Sequence, residues 1–375
     1  MSLIKSSLIF SLGTFLSRLL GLVREVVLAT VFGATAILDS FLIANRIPNM
    51  LRELAAEGAL GSSFTKVFSE LWEKDEERAR NLLGNFILFI ALFLVLICFI
   101  GMSFSSSLVE TFFLLKSNSE NSSFFQHTVG LTRVLFPFIG FMSLAAIFAG
   151  ALHQKGRFFL SSLAPMALNL GYILGALFFS YFLKQYGPLW IEVYLAPREA
   201  VGLALGVLLG GFTQMFVLYL GVKKHFFKER EFFPQIIHLK KNKDIKKVLG
   251  LMWPMVIAAS AGQVNVFVNT NFATSLSEGS VSYLSFAFRL LQLPIGIFAV
   301  SIGMVTLPLF TRNITQDKTY DSLSKSLEKS IELTLWLLLP CVCFLSMNTY
   351  EVIQVLFERG KFTAEATAQT SGVLF

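Results

Sequence analysis

Charge is scarce in this chain. Asp, Glu, Lys and Arg supply 15% of its 375 residues, against roughly 25% in a soluble domain. Hydrophobic residues make up 54% and the mean hydropathy is +0.67, which excludes an ordinary soluble fold. Cysteine is nearly absent: Cys98, Cys341 and Cys343 all lie in apolar segments, so neither a disulfide framework nor a zinc-type spacing can be built. The four histidines, His127, His153, His225 and His238, fall at segment ends or in loops, without the spacing of a metal centre or a catalytic triad. No glycine-rich phosphate loop occurs, which argues against ATP hydrolysis by these residues.

What is present is a series of long apolar runs. Windows of about 20 residues, the length that crosses a bilayer, fall at 7–32, 36–56, 82–104, 124–151, 158–183, 199–222, 248–270, 280–310 and 327–348, and a tenth starts near Thr363. Their continuity predicts helices rather than barrel strands. Pro48 is expected to break the second span, which then continues as an amphipathic piece over 57–72. Lys5 before an apolar run imitates a signal peptide, but no A-x-A-like cleavage site follows, so the run reads as a retained first helix. The ridge Gly202, Gly206 and Gly210 in the sixth span reads as close helix packing.

The net charge of +7 is not spread as a nucleic-acid surface requires, because the basic residues cluster in loops between spans. Lys66, Lys74, Arg78 and Arg80 follow span two, and Lys155 and Arg157 follow span four. The stretch "KKHFFKEREFFPQIIHLKKNKDIKK" follows span six, and Arg312, Lys318, Lys325 and Lys329 follow span eight. On the other side, "SFSSSLVETFFLLKSNSENSS" contains only Lys116. This alternation predicts a cytoplasmic N-terminus. The expected architecture is an all-α polytopic membrane protein with two helical bundles around a central cationic cavity. Residues 1–222 form the first bundle, 223–247 a basic cytoplasmic loop and 248–375 an incomplete second bundle. The loop's basic face also suits anionic lipid headgroups.

Several polar residues interrupt the apolar runs. An arginine at the bilayer centre costs roughly 2.5–3.5 kcal/mol on insertion scales, so such residues tend to face a bundle interior or a watery cavity. Within "SRLLGLVRE", Arg18, Gly21 and Arg24 share one wedge of the first helix, bordered by Ser17, Thr14 and Glu25. The second span carries Asp39, Asn45, Arg46, Asn49, Arg52, Glu53 and Glu57. Arg133 lies in span four and Arg289 in span eight, while span seven adds Gln263, Asn265, Asn269 and Asn271. Snorkelling or structural pairing accounts for any one arginine. The excess of cations over nearby carboxylates points to a cationic cavity whose natural ligand is an anion, since guanidinium forks suit phosphate oxygens.

Five stretches carry a resemblance: "SRLLGLVRE", "GATAILDSFLIANRIPNMLRELAAEGALGSSF", "GALHQKGRFFLSSLAPMALNLGYI", "FAFRLLQLPIGIFAVSIGMVTLPLF" and "FERGKFTAEAT". Together they resemble the MurJ (MviN) lipid II flippases, of the multidrug/oligosaccharidyl-lipid/polysaccharide exporter (MOP) superfamily, along the whole chain. The resemblance implies a multipass protein of the bacterial inner membrane that moves lipid II from the cytoplasmic to the periplasmic leaflet. It implies pyrophosphate binding by Arg24, Arg52 and Arg289. Ser17, Arg18, Glu25, Asp39, Asn49 and Glu57 would support the cavity, Asp39 in the periplasmic part of the bundle and Glu57 at a gate. No cofactor is implied, although sodium or the membrane potential would drive transport. Lipid II, membrane lipids and cell-wall synthesis proteins are the implied partners. Members of the family usually have fourteen spans, so a chain stopping inside a tenth implies a second bundle without its last helices. Two other readings stay open: an ion-coupled exporter of other substrates, for which an acidic cavity would be expected, and a non-transporting scaffold of cell-wall synthesis.

Overall fold

A backbone inside hydrocarbon must satisfy its own hydrogen bonds, and helices do so within one segment. The computed structural model describes residues 3–54, 60–113, 123–227, 243–299, 302–303, 306 and 321–375, and it contains helices and no strands among them. In chain order these are α1 (Leu3–Phe32), α2 (Ala36–Arg52), α3 (Gly61–Lys74), α4 (Glu76–Ser103), α5 (Ser105–Glu110), α6 (Ser123–Leu135), α7 (Phe138–Gln154) and α8 (Phe158–Leu174). A π-helical turn, Gly175–Phe179, leads into α9 (Ser180–Tyr186), followed by α10 (Leu189–Tyr194), α11 (Arg198–Phe226) and α12 (Lys243–Ser275). Then come α13 (Ser280–Pro294), a second π-helical turn Ile295–Ala299, α14 (Asp321–Met347), α15 (Thr349–Phe357) and α16 (Ala364–Leu374). Among the described residues seven helical stretches are long and apolar enough to cross a membrane, the first Glu76–Ser103 and the last Leu323–Met347. The 30-residue α1 and the 17-residue α2 stand outside that set.

Two expectations about helix breaks change. Pro48 does not break the second span: α2 runs through it to Arg52, with Ala44, Asn45, Ile47 and Pro48 buried. Buried prolines are tolerated in membrane helices because side chains and neighbours satisfy the carbonyls they release. One turn along, Asn49 also donates from Nδ2 to the Asn45 carbonyl, at 3.0 Å. The fourth span is instead two helices, because α6 ends at Leu135 and α7 starts after Pro137. The tenth helix begins where expected, with the Thr363 hydroxyl capping the Ala366 N–H.

Compactness divides the chain into two units, Met1–Leu28 with Thr35–Val281, and Ala29–Ala34 with Ser282–Phe375. The division falls after α12 rather than at the basic loop 223–247, most of which lies outside the described residues. Polar contacts explain why α12 groups with the first unit. Arg78 donates from Nε and Nη2 to the two Asp244 carboxylate oxygens, each at 2.9 Å, and Lys247 pairs with Glu70. That hydrogen bond holds the Glu70 carboxyl below its ordinary range. Near the opposite end of α12, the Asn271 amide and the Thr274 hydroxyl donate to the carbonyls of Thr111 and Phe112.

Within the first unit α8 and α11 meet through glycine. A Cβ on Gly202, Gly206 or Gly210 would run into the backbone of the α8–α9 segment, at Ser180, Gly175 and Gly171 respectively. The ridge is therefore a packing surface, and it fixes the height of α8. The turn is pinned by Ser180, whose hydroxyl is shared between the carbonyls of Gly175 at 2.8 Å and Glu199 at 2.7 Å. In the second unit Phe286, Phe357 and Phe362 form one aromatic cluster. There the Lys361 N–H donates to the Thr30 carbonyl at 2.9 Å, and Gly33 and Gly360 both take positive φ, 64° and 59°.

Candidate functional site

The first unit brings one predicted arginine into a built polar cluster. Arg24 on α1 keeps 11% of its side chain exposed. Its Nη1 donates to Asn169 Oδ1 at 2.9 Å, and its Nε and Nη2 both donate to Glu25 Oε1, the Nε at 3.2 Å. The Tyr172 ring lies under the guanidinium, 4.7 Å from Cζ to the ring centroid, a cation–π distance. Glu25 is buried, so the ion pair sits out of water and its directional hydrogen bonds carry much of its balance.

A surrounding frame holds this cluster. Asn169 uses both ends of its amide, accepting from Arg24 and donating from Nδ2 to the Ser17 carbonyl of α1 at 3.0 Å. Gly21 faces the same amide: a Cβ added there would stand 3.8 Å from its nearest atom, so α1 approaches α8 without a side chain between them. Tyr172, three residues after Asn169 and on the same face of α8, accepts from Asn45 Nδ2 of α2 at 2.8 Å and meets Phe41 edge to face. One face of α8 thus binds α1 and α2 around the guanidinium.

Ser17 contributes its carbonyl to this frame, and Glu25 is the counter-ion of Arg24. Arg18 lies on the same wedge of α1, half-buried. Asn49 is committed to its own helix through Asn45. Arg52, nearly a full turn farther on, faces Glu53 at 3.3 Å, and the other Glu53 oxygen accepts from Gln263 of α12 at 2.6 Å. Among the described residues, Arg24 makes its hydrogen bonds and ring contact with Glu25, Asn169 and Tyr172. Arg289 belongs to the second unit, exposed on α13. Glu57 lies outside the described residues. Asn169 and Tyr172 are site residues that charge counting passes over; a buried asparagine within an apolar run was the available signal.

Asp39 occupies a different place. It is 3% exposed and accepts the Gly279 N–H at 2.8 Å. In return Glu278 accepts the N–H of Ala36, the first residue of α2, also at 2.8 Å. The two carboxylates therefore cap each other's segments, Glu278 at the start of α2 and Asp39 just before α13, where helix N-termini have N–H groups without internal partners. Both line a small cavity of about 120 Å³ with Thr274 and Phe124.

The first unit thus holds a buried arginine between its own helix and α8, in a chain whose described helices include seven stretches long and apolar enough to cross a membrane. The fold is shared with an inward-facing MATE family multidrug transporter of the MOP superfamily, at TM-score 0.73 and 15% identity over 96% of this chain and 76% of that one. A solved lipid II flippase MurJ in an inward closed conformation is more similar, with TM-score 0.77 and 27% identity over 98% of this chain and 71% of that one. The family described as lipid II flippase MurJ matches residues 28–375. A probable lipid II flippase MurJ of Bdellovibrio bacteriovorus is 32% identical over 99% of this chain and 67% of its own length. The lipid II flippase MurJ of Burkholderia cenocepacia is 30% identical over 100% of this chain and 69% of its own length. The chain belongs to the MurJ lipid II flippase family.

Proposed function

We propose that this chain translocates lipid II, the undecaprenyl-pyrophosphate-linked peptidoglycan precursor, from the cytoplasmic to the periplasmic leaflet by alternating access. The observation that carries the reading is Arg24, oriented inside a membrane bundle by Asn169, Tyr172 and Glu25. These contacts use three of its five N–H donors, so the guanidinium can meet phosphate oxygens through the rest. Glu25 is then the exchangeable partner: a pyrophosphate competes with it for Nε and Nη2. Arg52 and Arg289 are the further phosphate ligands of this reading, with Arg18 and Asn49 supporting them.

With the N-terminus in the cytoplasm, α1 ends and α2 begins on the periplasmic side. The reciprocal caps of Asp39 and Glu278 then close that side, and Glu53–Gln263 and Arg78–Asp244 tie the cytoplasmic side. Opening one set while keeping the other exposes the headgroup to one leaflet at a time. Translocation breaks no covalent bond, and a sodium gradient or the membrane potential would supply the drive.

The test is complementation of cells depleted of their own flippase, reading lipid II exposed at the outer leaflet. The wild-type chain restores exposure, and Arg24→Ala abolishes it at equal membrane abundance. Exposure unchanged by Arg24→Ala would sink the assignment.

A further inference from the structure

Apart from the Arg24 cluster, the first unit contains a larger cavity of about 600 Å³ bordered by α3, α7, α8 and α11. That is within the span of small-molecule sites, roughly 300–1,000 Å³. Sequence explains why it is open. The wall supplied by α7 includes Ala145, Ala146, Ala149 and Gly150, side chains too small to fill the space between four helices.

The lining divides by chemistry. Lys66 and Ser62 on α3 are exposed and bring an ammonium and a hydroxyl, and the pair His153–Ser161, 2.7 Å apart, faces the same space. Deeper in, Gln214 on α11 is only 7% exposed, and its Oε1 has no hydrogen-bond partner. An amide oxygen withdrawn from water without a donor is costly, and most such groups in folded proteins are met by something. The residue lines a cavity large enough to hold a donor, and rotation of its amide brings the oxygen to that space. Nothing in the proposed headgroup pathway through Arg24 uses Gln214, Lys66 or this space.

We infer that the cavity binds a phosphate ester that also carries a hydroxyl, of the glycerol-phosphate type: the anionic phosphate at Lys66 and the serine hydroxyls, the alcohol donating to Gln214 Oε1. Such a group reaches a membrane protein either as the headgroup of an anionic phospholipid or as a soluble ester. The site goes beyond lipid II transport and does not depend on it.

Native mass spectrometry of the purified chain in detergent micelles tests this, with dioleoyl phosphatidylglycerol, dioleoyl phosphatidylcholine and glycerol 3-phosphate as probes. Phosphatidylglycerol is expected to leave a resolved adduct that phosphatidylcholine does not displace. Gln214→Leu, which removes the acceptor at similar volume, weakens that adduct about tenfold, and Ala146→Trp, which fills the space, removes it. Displacement by glycerol 3-phosphate would show that the headgroup suffices; retention of the lipid alone would show that the acyl chains are needed; both support the site. Equal binding of phosphatidylcholine, no adduct with any probe, or adducts untouched by Gln214→Leu would overturn it. Gln214→Leu decides by itself if Ala146→Trp lowers the melting temperature.

Discussion

Arg24 is expensive to bury, and the cluster shows what offsets the cost. Its charge has a carboxylate beside it, its Nη1 has an amide oxygen, and its face has a π-system. Removing one partner of a buried pair leaves the other charge uncompensated, at about 3–5 kcal/mol. Glu25→Gln keeps an acceptor oxygen but removes the countercharge. It should lower the melting temperature and, in the opposite sense, tighten binding of inorganic pyrophosphate, measured by titration calorimetry. Asn169→Asp should move binding the other way: it keeps the acceptor for Nη1, adds a second negative charge beside the guanidinium and weakens pyrophosphate, while the lost Nδ2 donor to the Ser17 carbonyl lowers the melting temperature as well. If both variants move binding in the same direction, Arg24 acts through structure and not through charge. The charge pattern of α1 made Arg24 and Glu25 visible in the sequence, because charged residues stand out in an apolar run. Asn169 stays hidden for a physical reason. It lies 145 residues away, and only the packing of α8 on α1 makes it a partner.

At the scale of elements, that packing depends on the α8–α11 glycines. Backbones meet at Gly171, Gly175, Gly206 and Gly210, with no room for a Cβ at Gly206. Overpacking of this kind costs typically about 1–3 kcal/mol, and here it would also push α8 along or away from its neighbours. Gly206→Leu should therefore lower thermal stability and reduce pyrophosphate affinity, although a side chain at 206 meets Gly171 and Gly175 first. Unchanged affinity in a folded Gly206→Leu protein would separate the ridge from the site. The spacing of Gly202, Gly206 and Gly210 is readable as a contact surface from sequence. Which helix it contacts is not, because the ridge pattern is the same whichever neighbour fills it. Pro48 shows the converse: a local rule predicted a break, and burial among neighbouring helices kept α2 continuous through it.

For the whole molecule, the proposed orientation rests on loop charge and the proposed closure on the buried Asp39 carboxylate and its exposed counterpart Glu278. Single cysteines at Lys74 and at Ser106, in a chain whose native cysteines are replaced by alanine, should differ in labelling by a membrane-impermeant maleimide in intact cells. Ser106 is expected to label and Lys74 only after permeabilisation; the opposite result would invert the topology. Closure is tested with a cysteine at Thr274, buried and lining the same cavity as Asp39. Asp39→Leu removes the acceptor for Gly279 and should raise the labelling rate at position 274, whereas unaltered protection would show that the cap does not hold this end shut. The membrane class and the succession of helices were legible because hydrophobic length reports directly on bilayer thickness. The grouping of α12 with the first unit was not, since it arises from pairs such as Arg78–Asp244 that are remote in the chain.

The exchange of caps between Asp39 and Glu278 has an evolutionary consequence. In this exchange each carboxylate accepts a backbone N–H. Position 36 can drift among residues other than proline without loosening the grip. Gly279 is restricted by its φ of 91°, not by the contact it makes. Neither of these two hydrogen bonds ties one side chain to another, so comparison of coupled substitutions across relatives would not register the exchange of caps as a pair.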